Sequence, residues 1–264
     1  MDPFALALLG IVQGLTEFLP VSSTGHLILA REFFNLSSEN GLAVDAVLHL
    51  ATALAVVVYF RNDIMRLVRS FYTWILGKGI ESEDRTLILA LILGTIPAVI
   101  VGLSIESAIE DTFRNPSLVA YALIGGSVLF FIAERLAKQT QKLTIGKGFA
   151  IGLFQALALI PGVSRSGATI SGGLLLGLTR EKAARFAFLL SFPVILGAGI
   201  LKFSELGNAG VLGASGGALL IGAFAAFVSG LIAIYGLLRF LKNNTLDVFI
   251  VYRLLLAGAI LFLL

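Results

Sequence analysis

The chain contains 264 residues, of which 58% are hydrophobic and only 13% are charged, and its net charge at pH 7 is +3. A soluble domain carries roughly 25% charged residues because water must solvate its surface, so most of this surface must contact something other than water. The absence of cysteine excludes a disulfide-stabilised scaffold, and the small, dispersed positive charge gives no basis for nucleic-acid binding. The composition predicts an all-α polytopic membrane protein with a single membrane domain, residues 1–264.

Six segments are predicted to cross the membrane. A helix needs about 20 predominantly apolar residues to span the ~30 Å hydrocarbon core of a bilayer. The segments with this length and character, or close to it, are residues 42–60, 87–105, 118–133, 186–201, 211–238 and 246–264.

Two further apolar stretches, residues 4–19 and 148–160, are too short to cross. They cover roughly 20–24 Å as helices, and each runs into a proline followed by hydroxyl and glycine residues, which end helices. These are the first elbow, residues 20–26, and the second elbow, residues 161–167. Each stretch is predicted to form a re-entrant helical hairpin. Non-helical backbone at membrane depth must be buried in protein or face a watery cavity, so the elbows are expected to meet near the midplane.

The two hairpins also indicate an internal repeat. Residues 10–13 align with residues 152–155, and residues 22–25 align with residues 164–167. Three predicted spans follow each hairpin, so an odd number of crossings separates the two copies and the second is inverted relative to the first. The predicted halves are residues 1 to about 140 and about 141 to 264, an arrangement that recurs among membrane proteins.

The distribution of Lys and Arg predicts the orientation, because cytoplasmic loops are enriched in these residues. Most of them fall on one side of the predicted spans: Arg61, Arg66, Arg69, Lys78, Arg85, Arg135, Lys138, Lys142, Lys147, Arg180, Lys182, Arg185, Arg239 and Lys242. The other side receives Arg31, Arg114 and Lys202. This bias places both termini and the first hairpin on the outer face and the second hairpin on the cytoplasmic face. Residues 61–79 are interpreted either as an interfacial segment or as a plain loop.

Few ionisable side chains remain at membrane depth, where each costs at least a few kcal/mol if unpaired. Three of them lie away from the elbows. Asp45 is interpreted as a helix-end group, His49 as an ordinary buried histidine, and Arg253 as a member of a structural ion pair.

Glu17, His26 and Arg165 lie in or beside the two elbows. Because charged groups inside a membrane protein mark functional sites by default, these three are candidate functional residues. The alternative for them is a charge-compensated structural cluster.

The composition of the elbows predicts an anion-binding site. Hydroxyl side chains can cap the unsatisfied N–H groups of a following short helix, and two opposed helix N-termini form a phosphate site. Arg165 adds a planar donor suited to phosphate, and glycines let the backbone approach closely. The hydroxyl and glycine residues concerned are Ser22, Ser23, Thr24, Gly25, Gly162, Ser164, Ser166 and Gly167.

Glu17 does not fit simple anion binding, because a carboxylate repels phosphate. Gln13 and Glu17 share a helix face at i,i+4 and are predicted to present oxygens to a divalent cation, Mg²⁺ or Ca²⁺. Ser23 and His26, at i,i+3, are predicted to form a hydroxyl–imidazole pair. An acid, a hydroxyl, an imidazole and an arginine around a phosphate describe phosphoryl transfer better than binding alone.

The two motifs carry a family resemblance. Residues 13–26 read Gln-Gly-Leu-Thr-Glu-Phe-Leu-Pro-Val-Ser-Ser-Thr-Gly-His, and residues 161–169 read Pro-Gly-Val-Ser-Arg-Ser-Gly-Ala-Thr. Together with the chain length and the number of spans, they strongly resemble the undecaprenyl-diphosphate phosphatases of the BacA/UppP family. The resemblance covers essentially the whole chain.

The resemblance implies an integral enzyme of the bacterial inner membrane that removes the terminal phosphate of undecaprenyl diphosphate during cell-wall precursor recycling. It also implies a link to bacitracin resistance, a divalent metal and an active site toward the periplasmic side. The family's (Glu/Gln)-x-x-x-Glu element falls on Gln13 and Glu17, so this chain supplies one carboxylate there. The active-site positions that the resemblance marks are Glu17, Ser23, His26, Ser164, Arg165 and Thr169.

We interpret the chain as a phosphatase whose spans hold a polyprenyl tail and whose elbows hold the diphosphate. Ser23 is expected to attack the terminal phosphorus or to position a water that does, with His26 as base and then acid and Arg165 stabilising charge. One alternative is a transporter or flippase of a phosphorylated polyprenyl lipid, which the inverted repeat fits equally well; another is a structural or channel-like protein. The sequence leaves open whether the chain works as a monomer or a homodimer.

Overall fold

A computed structural model gives the structure of residues 2–33, 41–112, 115–207 and 212–263. Arg114, Val211 and Leu264, which the sequence placed in a loop or at span ends, lie outside the described residues. The described residues form helices joined by short turns and contain no strand: α1 Pro3–Phe18, α2 Ser23–Phe33, α3 Gly41–Tyr59, α4 Arg61–Ile75, α5 Ser82–Thr112, α6 Pro116–Leu136, α7 Ile145–Leu157, α8 Arg165–Leu175, α9 Arg180–Gly207, α10 Leu212–Phe240 and α11 Asp247–Leu263.

The predicted spans correspond to α3, α5, α6, α9, α10 and α11. Of these, α5, α6, α9 and α10 are long and apolar enough to cross a membrane, and α3 with α4 gives a fifth candidate that is bent by 79°. α11 is equally apolar but has only 17 residues, so the sixth crossing stays a prediction. The prediction of an all-α polytopic membrane protein is confirmed.

Each predicted elbow contains a break between short helices, but residues 23–26 of the first and 165–167 of the second already belong to the helix that follows. α1 is followed by α2 across residues 19–22, and α7 is followed by α8 across residues 158–164. Ser22 and Ser164, each directly before the second helix of its hairpin, have φ values of 72° and 75°. Non-glycine residues keep a positive φ only where the surrounding structure holds them in it. The backbone is therefore strained at Ser22 and at Ser164.

Glycines allow α1 and α7 to pack very closely on α10 and α5. A Cβ added at Gly10 would lie 2.2 Å from the carbonyl oxygen of Gly222, and one at Gly152 would lie 2.2 Å from that of Gly94. Backbones that touch through small residues are typical of helix crossings in membranes. The two crossings are equivalent if the halves form the inverted repeat, which stays a prediction.

The core of the protein is centred on the second hairpin. Every residue from Ser166 to Leu174 is buried, and α8 is packed against α6, α7 and α9. The rings of Phe18 and Phe188 meet edge to face nearby, with centroids 5.5 Å apart. The helix that begins with Arg165 is therefore held in place on several sides.

α4 is an amphipathic helix that turns away from α3. On one side, Arg66 Nε lies 3.5 Å from Asp84 Oδ1 at the start of α5. Its exposed apolar and aromatic side chains are Met65, Val68, Phe71, Tyr72 and Ile75. The plain-loop alternative for residues 61–79 is therefore wrong, whereas the placement of this helix in the inner interface stays a prediction.

Candidate active site

Glu17 and Arg165 form an ion pair that joins the two elbows. Glu17 lies at the end of α1, and Arg165 is the first residue of α8. The guanidinium Nη2 donates to Glu17 Oε1, and the two side chains are only 4% and 19% exposed. Because a buried charge is strongly destabilising without a partner, each group accounts for the burial of the other. Two candidate residues from distant parts of the sequence thus meet in one site.

The other carboxylate oxygen of Glu17 contacts Gln13 and His49. Gln13 Nε2 donates to Glu17 Oε2 at 2.8 Å, in keeping with the predicted shared face. The same amide nitrogen lies 3.1 Å from His49 Nδ1, which is 3.6 Å from Glu17 Oε2. The interpretation of His49 as an ordinary buried histidine is therefore wrong: α3 brings this side chain into the site, where it is partly exposed.

Ser23 and His26 do not form the predicted hydroxyl–imidazole pair. The Ser23 hydroxyl lies near the carboxylate of Glu17 instead. Both ring nitrogens of His26 have other partners, since Nδ1 lies 2.8 Å from the Ser22 carbonyl oxygen and Nε2 lies 2.6 Å from the Tyr252 hydroxyl. The i,i+3 spacing does put the two side chains on one face, but the elbow places Glu17 beside Ser23 and α11 beside His26.

Ser22 and Ser164 cap the helices that follow the elbows. The Ser22 hydroxyl oxygen accepts from the backbone N–H of Gly25 at 3.5 Å, and that of Ser164 accepts from Gly167 at 3.4 Å. The remaining N–H groups of the first turns of α2 and α8 have no partner within their own helix. Both N-termini lie at the site, because Ser23 and Arg165 are the first residues of α2 and α8 and both lie beside Glu17. The partial positive charge of each N-terminus favours an anion there.

The other predicted hydroxyl groups have different surroundings. Ser166 donates to the Leu19 carbonyl oxygen at 3.2 Å, so the second elbow contacts the first directly. Thr169 donates to the Arg165 carbonyl oxygen at 2.7 Å within α8, whereas Thr24 is exposed. Their part in substrate binding stays a prediction.

Packing requires a glycine at position 167 of the second elbow but not at position 25 of the first. A Cβ at Gly167 would lie 1.8 Å from Cζ of Phe130, whereas one at Gly25 would make ordinary contact with Leu123 at 3.4 Å. The open side of Gly167 is thus filled by an aromatic ring of α6. Whether the backbone of either glycine also approaches a phosphate stays a prediction.

Arg253 binds neutral groups rather than the predicted carboxylate. Its Nε donates to Ser127 Oγ at 3.1 Å, and its Nη2 donates to the carbonyl oxygens of Leu123 at 2.9 Å and Gly162 at 3.0 Å. The side chain is fully buried, and its Cζ lies 4.6 Å from the centroid of the Phe130 ring. Within the described residues no ion pair involves Arg253, so that interpretation is wrong. Arg253 instead fastens the second elbow to α6 and α11.

Asp45 forms an ion pair rather than only ending a helix. Its Oδ1 lies 2.5 Å from Arg31 Nη2, and both side chains are partly exposed. The pair ties the first turns of α3 to the last turn of α2, which carries His26 at its other end. It therefore supports the first hairpin from outside the site.

Gln13 and Glu17 are the predicted ligands of a divalent cation. Gln13 Oε1 is buried without a hydrogen-bond partner, beside a carboxylate, and oxygens of this kind are the ligands that Mg²⁺ and Ca²⁺ prefer. In the described ranges, no cluster of three or more His, Cys, Asp or Glu side chains could hold a metal ion. Two such donors would leave most of the ligands of a cation to substrate oxygens and water, as is common for Mg²⁺, and the cation site stays a prediction.

Sequence reasoning missed Tyr252 and undervalued His49. His49 carried a signal, since it is one of few ionisable groups within an apolar helix. Tyr252 belongs to no motif, and its only signal is that it precedes Arg253 in α11. Contacts between α11 and the elbows come from tertiary packing, which no local pattern contains.

Comparison with known proteins assigns the family. The model of the family described as bacitracin resistance protein BacA matches residues 6–259. The undecaprenyl-diphosphatase of Geobacter sulfurreducens is 43% identical over 265 residues, which cover 99% of this chain and 98% of the relative. That of Desulforudis audaxviator is 42% identical over 259 residues, with 97% and 95% covered. Because these matches extend over nearly the whole sequence, the chain belongs to the BacA family of bacitracin resistance proteins.

Proposed function

We propose that this chain is an integral membrane phosphatase that hydrolyses undecaprenyl (polyprenyl) diphosphate to the monophosphate and inorganic phosphate, recycling the lipid carrier for cell-wall synthesis. The observation that carries the proposal is the contact between the elbows, where Glu17, Arg165 and the N-termini of α2 and α8 meet. These groups combine donors for phosphate with a carboxylate that can take a proton. The family assignment and the names of the relatives support the same activity.

Substrate binding begins with an exchange of partners at Arg165. Without substrate, the guanidinium is neutralised by Glu17. A diphosphate carries more negative charge and offers the planar guanidinium two oxygens, so it competes for Arg165 while the capped N-termini of α2 and α8 donate to it. The apolar surfaces of the surrounding helices hold the polyprenyl tail.

Ser23 is the proposed nucleophile. Its hydroxyl lies near Glu17, so the carboxylate can take the hydroxyl proton as the Ser23 oxygen attacks the terminal phosphorus. The bond from that phosphorus to the bridging oxygen breaks, and the polyprenyl monophosphate leaves with the electron pair. Arg165 and the helix N-termini stabilise the charge on the transferring phosphoryl group.

Water then completes the reaction with His26 as its base. Because Nδ1 of His26 faces a carbonyl oxygen, it must carry the proton of the neutral ring, which leaves Nε2 as the acceptor. Nε2 takes a proton from the water that attacks the phosphorus of phosphorylated Ser23. The serine oxygen leaves and regains its proton from Glu17. His26 then gives its proton to the departing phosphate or to water, and phosphate is released.

A divalent cation, Mg²⁺ or Ca²⁺, is proposed to be held by Gln13 and Glu17 together with the substrate. When bound, it would neutralise charge on the phosphate oxygens as a Lewis acid. The support for this assignment is the unpartnered, buried oxygen of Gln13 next to the Glu17 carboxylate. His49 would orient the Gln13 amide through its contact at 3.1 Å.

This multi-pass protein is proposed to lie in the bacterial inner membrane with its site open to the outer face. The support is the concentration of Lys and Arg in the loops on one side, because cytoplasmic loops are enriched in these residues. Because the chain has no cysteine, a single one can be introduced at Lys142 without competing labels. In intact cells this cysteine should not react with a thiol reagent that cannot cross the membrane. Labelling of the cysteine at position 142 would overturn the proposed orientation.

The decisive experiment is phosphate release by the purified protein from polyprenyl diphosphate, with and without a chelator. We expect one phosphate per lipid, with slower release when the chelator is present. A protein that binds the lipid but never releases phosphate would overturn the phosphatase proposal and favour a carrier of phosphorylated lipid. Unchanged release in the chelator would overturn only the cation.

A further inference from the structure

His26 contacts a residue that the proposed mechanism does not use. The Tyr252 hydroxyl lies 2.6 Å from His26 Nε2. The two rings are nearly parallel, with 7° between their planes and 5.5 Å between their centroids. α2 and α11 thus meet through a stacked pair that ends in a hydrogen bond.

The direction of this hydrogen bond follows from the other ring nitrogen. Nδ1 of His26 is 2.8 Å from the Ser22 carbonyl oxygen, and a carbonyl oxygen can only accept. Nδ1 therefore carries the proton, and Nε2 of the neutral ring has the lone pair. Without substrate, the Tyr252 hydroxyl must donate to Nε2. The proposed mechanism assigns this atom as the base, and because it has one lone pair, the attacking water must take the place of the hydroxyl before Nε2 accepts its proton.

The next residue of α11 fixes the position of Tyr252. Arg253 is fully buried and donates to Ser127 on α6 and to the carbonyl oxygen of Gly162 in the second elbow. Neighbouring residues of one helix therefore contact the two elbows separately, Tyr252 the first and Arg253 the second. A shift of α11 would disturb both contacts at once.

Packing does not explain why this position holds a tyrosine. Tyr252 is 45% exposed, whereas Arg253 is not exposed at all. The hydroxyl of Tyr252 fills no part of the buried core, and within the described residues its hydrogen-bond partner is His26. Removal of that oxygen leaves the core intact but takes away the hydroxyl that donates to Nε2.

We infer that Tyr252 is a positioning residue for His26: before water arrives, its hydroxyl keeps the lone pair of the ring on Nε2, and its ring fixes the plane of the imidazole. For the consequence in catalysis, the inference rests on the proposed function. The hydrogen bond and the stacking can be tested without it.

The kinetic test compares Tyr252→Phe with Tyr121→Phe. The first keeps the ring and removes the hydroxyl, and the second makes the same change at an exposed tyrosine of α6. A well-placed general base contributes about 10²–10⁴-fold, so we expect Tyr252→Phe to lower kcat by about tenfold, with KM little changed. Tyr121→Phe should match the parent protein.

A double-mutant cycle shows whether Tyr252 acts through His26. In a His26→Ala background, Tyr252→Phe should cause no further loss of kcat. Losses that multiply would overturn the inference, because Tyr252 would then act independently. Full activity of Tyr252→Phe or of His26→Ala in the parent chain would overturn it as well.

A spectroscopic test is independent of activity. The chain contains only two histidines, so ¹⁵N-labelled histidine gives a simple spectrum in which His49 serves as the internal reference. Tyr252→Phe should move the ¹⁵N resonance of His26 Nε2 toward the value for an imidazole nitrogen that accepts no hydrogen bond, and the resonances of His49 should not change. An unchanged Nε2 resonance overturns the inference. If the parent protein releases no phosphate, the proposed function fails while this spectrum still decides the contact.

Discussion

Ser22 and Ser164 both have a positive φ, 72° and 75°, and each caps the helix that follows it. A non-glycine residue in this region costs about 1–3 kcal/mol. The conformation turns the chain sharply enough for α2 and α8 to begin at the contact between the elbows. Both hairpins thus use one local device to bring a helix N-terminus to the site.

The caps and the strain make opposite predictions for alanine and glycine. Ser164→Ala loses the cap and keeps the strain, so it should lower the free energy of unfolding by about 1 kcal/mol. Ser164→Gly also loses the cap but removes the strain, so it should be close to the parent protein. Thermal unfolding in detergent measures both. A glycine variant less stable than the alanine variant would contradict this account. The alanine and glycine variants of Ser22 should differ in stability in the same direction.

Arg165→Lys should lose about 10²-fold or more in turnover although the charge remains, because an ammonium cannot bind two phosphate oxygens in a plane. Arg180 is the matched control, since it binds both oxygens of Glu134 with distances of 2.5–3.1 Å. Arg180→Lys should lower thermal stability and leave the turnover of folded protein near normal. Normal turnover of Arg165→Lys would make Arg165 a structural counter-ion of Glu17.

Ser23→Ala should abolish chemistry but not binding. The variant retains Arg165 and both helix N-termini, so polyprenyl diphosphate should still raise the melting temperature by mass action. Phosphate release should fall by several orders of magnitude. Ser104→Ala, the same change at an exposed serine of α5, should lose little. Full hydrolysis by Ser23→Ala would assign the attack to water.

Gln13→Glu should change the cation requirement. The new carboxylate would face Glu17, whose Oε2 now accepts from the Gln13 amide at 2.8 Å. Two adjacent carboxylates repel each other unless a cation joins them, and cation affinity rises with the number of charged ligands. Half-maximal phosphate release should therefore need less Mg²⁺ or Ca²⁺ than in the parent protein, and Gln13→Ala should need more. If the parent protein and both variants need the same cation concentration for half-maximal phosphate release, Gln13 is not a ligand of the cation.

Gly152→Ala should be strongly destabilising, because its Cβ would lie 2.2 Å from the carbonyl oxygen of Gly94 and the two backbones would have to separate. Gly146 lies in the same helix and has open space around it. Gly146→Ala should therefore be neutral or should stabilise α7 by up to about 1 kcal/mol. The difference in melting temperature between the two variants checks the tight α5–α7 crossing.

The parts of the fold that depend on local chemistry were predictable from the sequence. Apolar length predicts the long helices, and Pro20 and Pro161 with the hydroxyl and glycine residues after them predict the breaks. The meeting of Glu17 with Arg165 was also predictable in outline, because both lie beside elbows that must be buried. These signals act over a few residues or follow from the membrane itself.

The partners of individual side chains were not predictable in the same way. The i,i+4 spacing correctly predicted that Gln13 lies beside Glu17 on the same helix. The i,i+3 spacing of Ser23 and His26 wrongly predicted that their side chains form a pair. Their closest partners come from α1 and α11, and the choice among competing hydrogen bonds depends on how whole helices pack. Arg253 shows the same limit, since carbonyl oxygens of other elements replace the expected carboxylate.

The direct contact between the elbows has a consequence for movement. Transport by alternating access requires one half of a protein to rock against the other in each cycle. Here such rocking would separate Ser166 from the Leu19 carbonyl oxygen and the buried Glu17 carboxylate from Arg165. Stranding either charge would cost several kcal/mol. The hairpins are therefore fastened together at the place where a carrier would need to open. In the proposed reaction the arriving phosphate, and not a moving hairpin, becomes the new partner of Arg165.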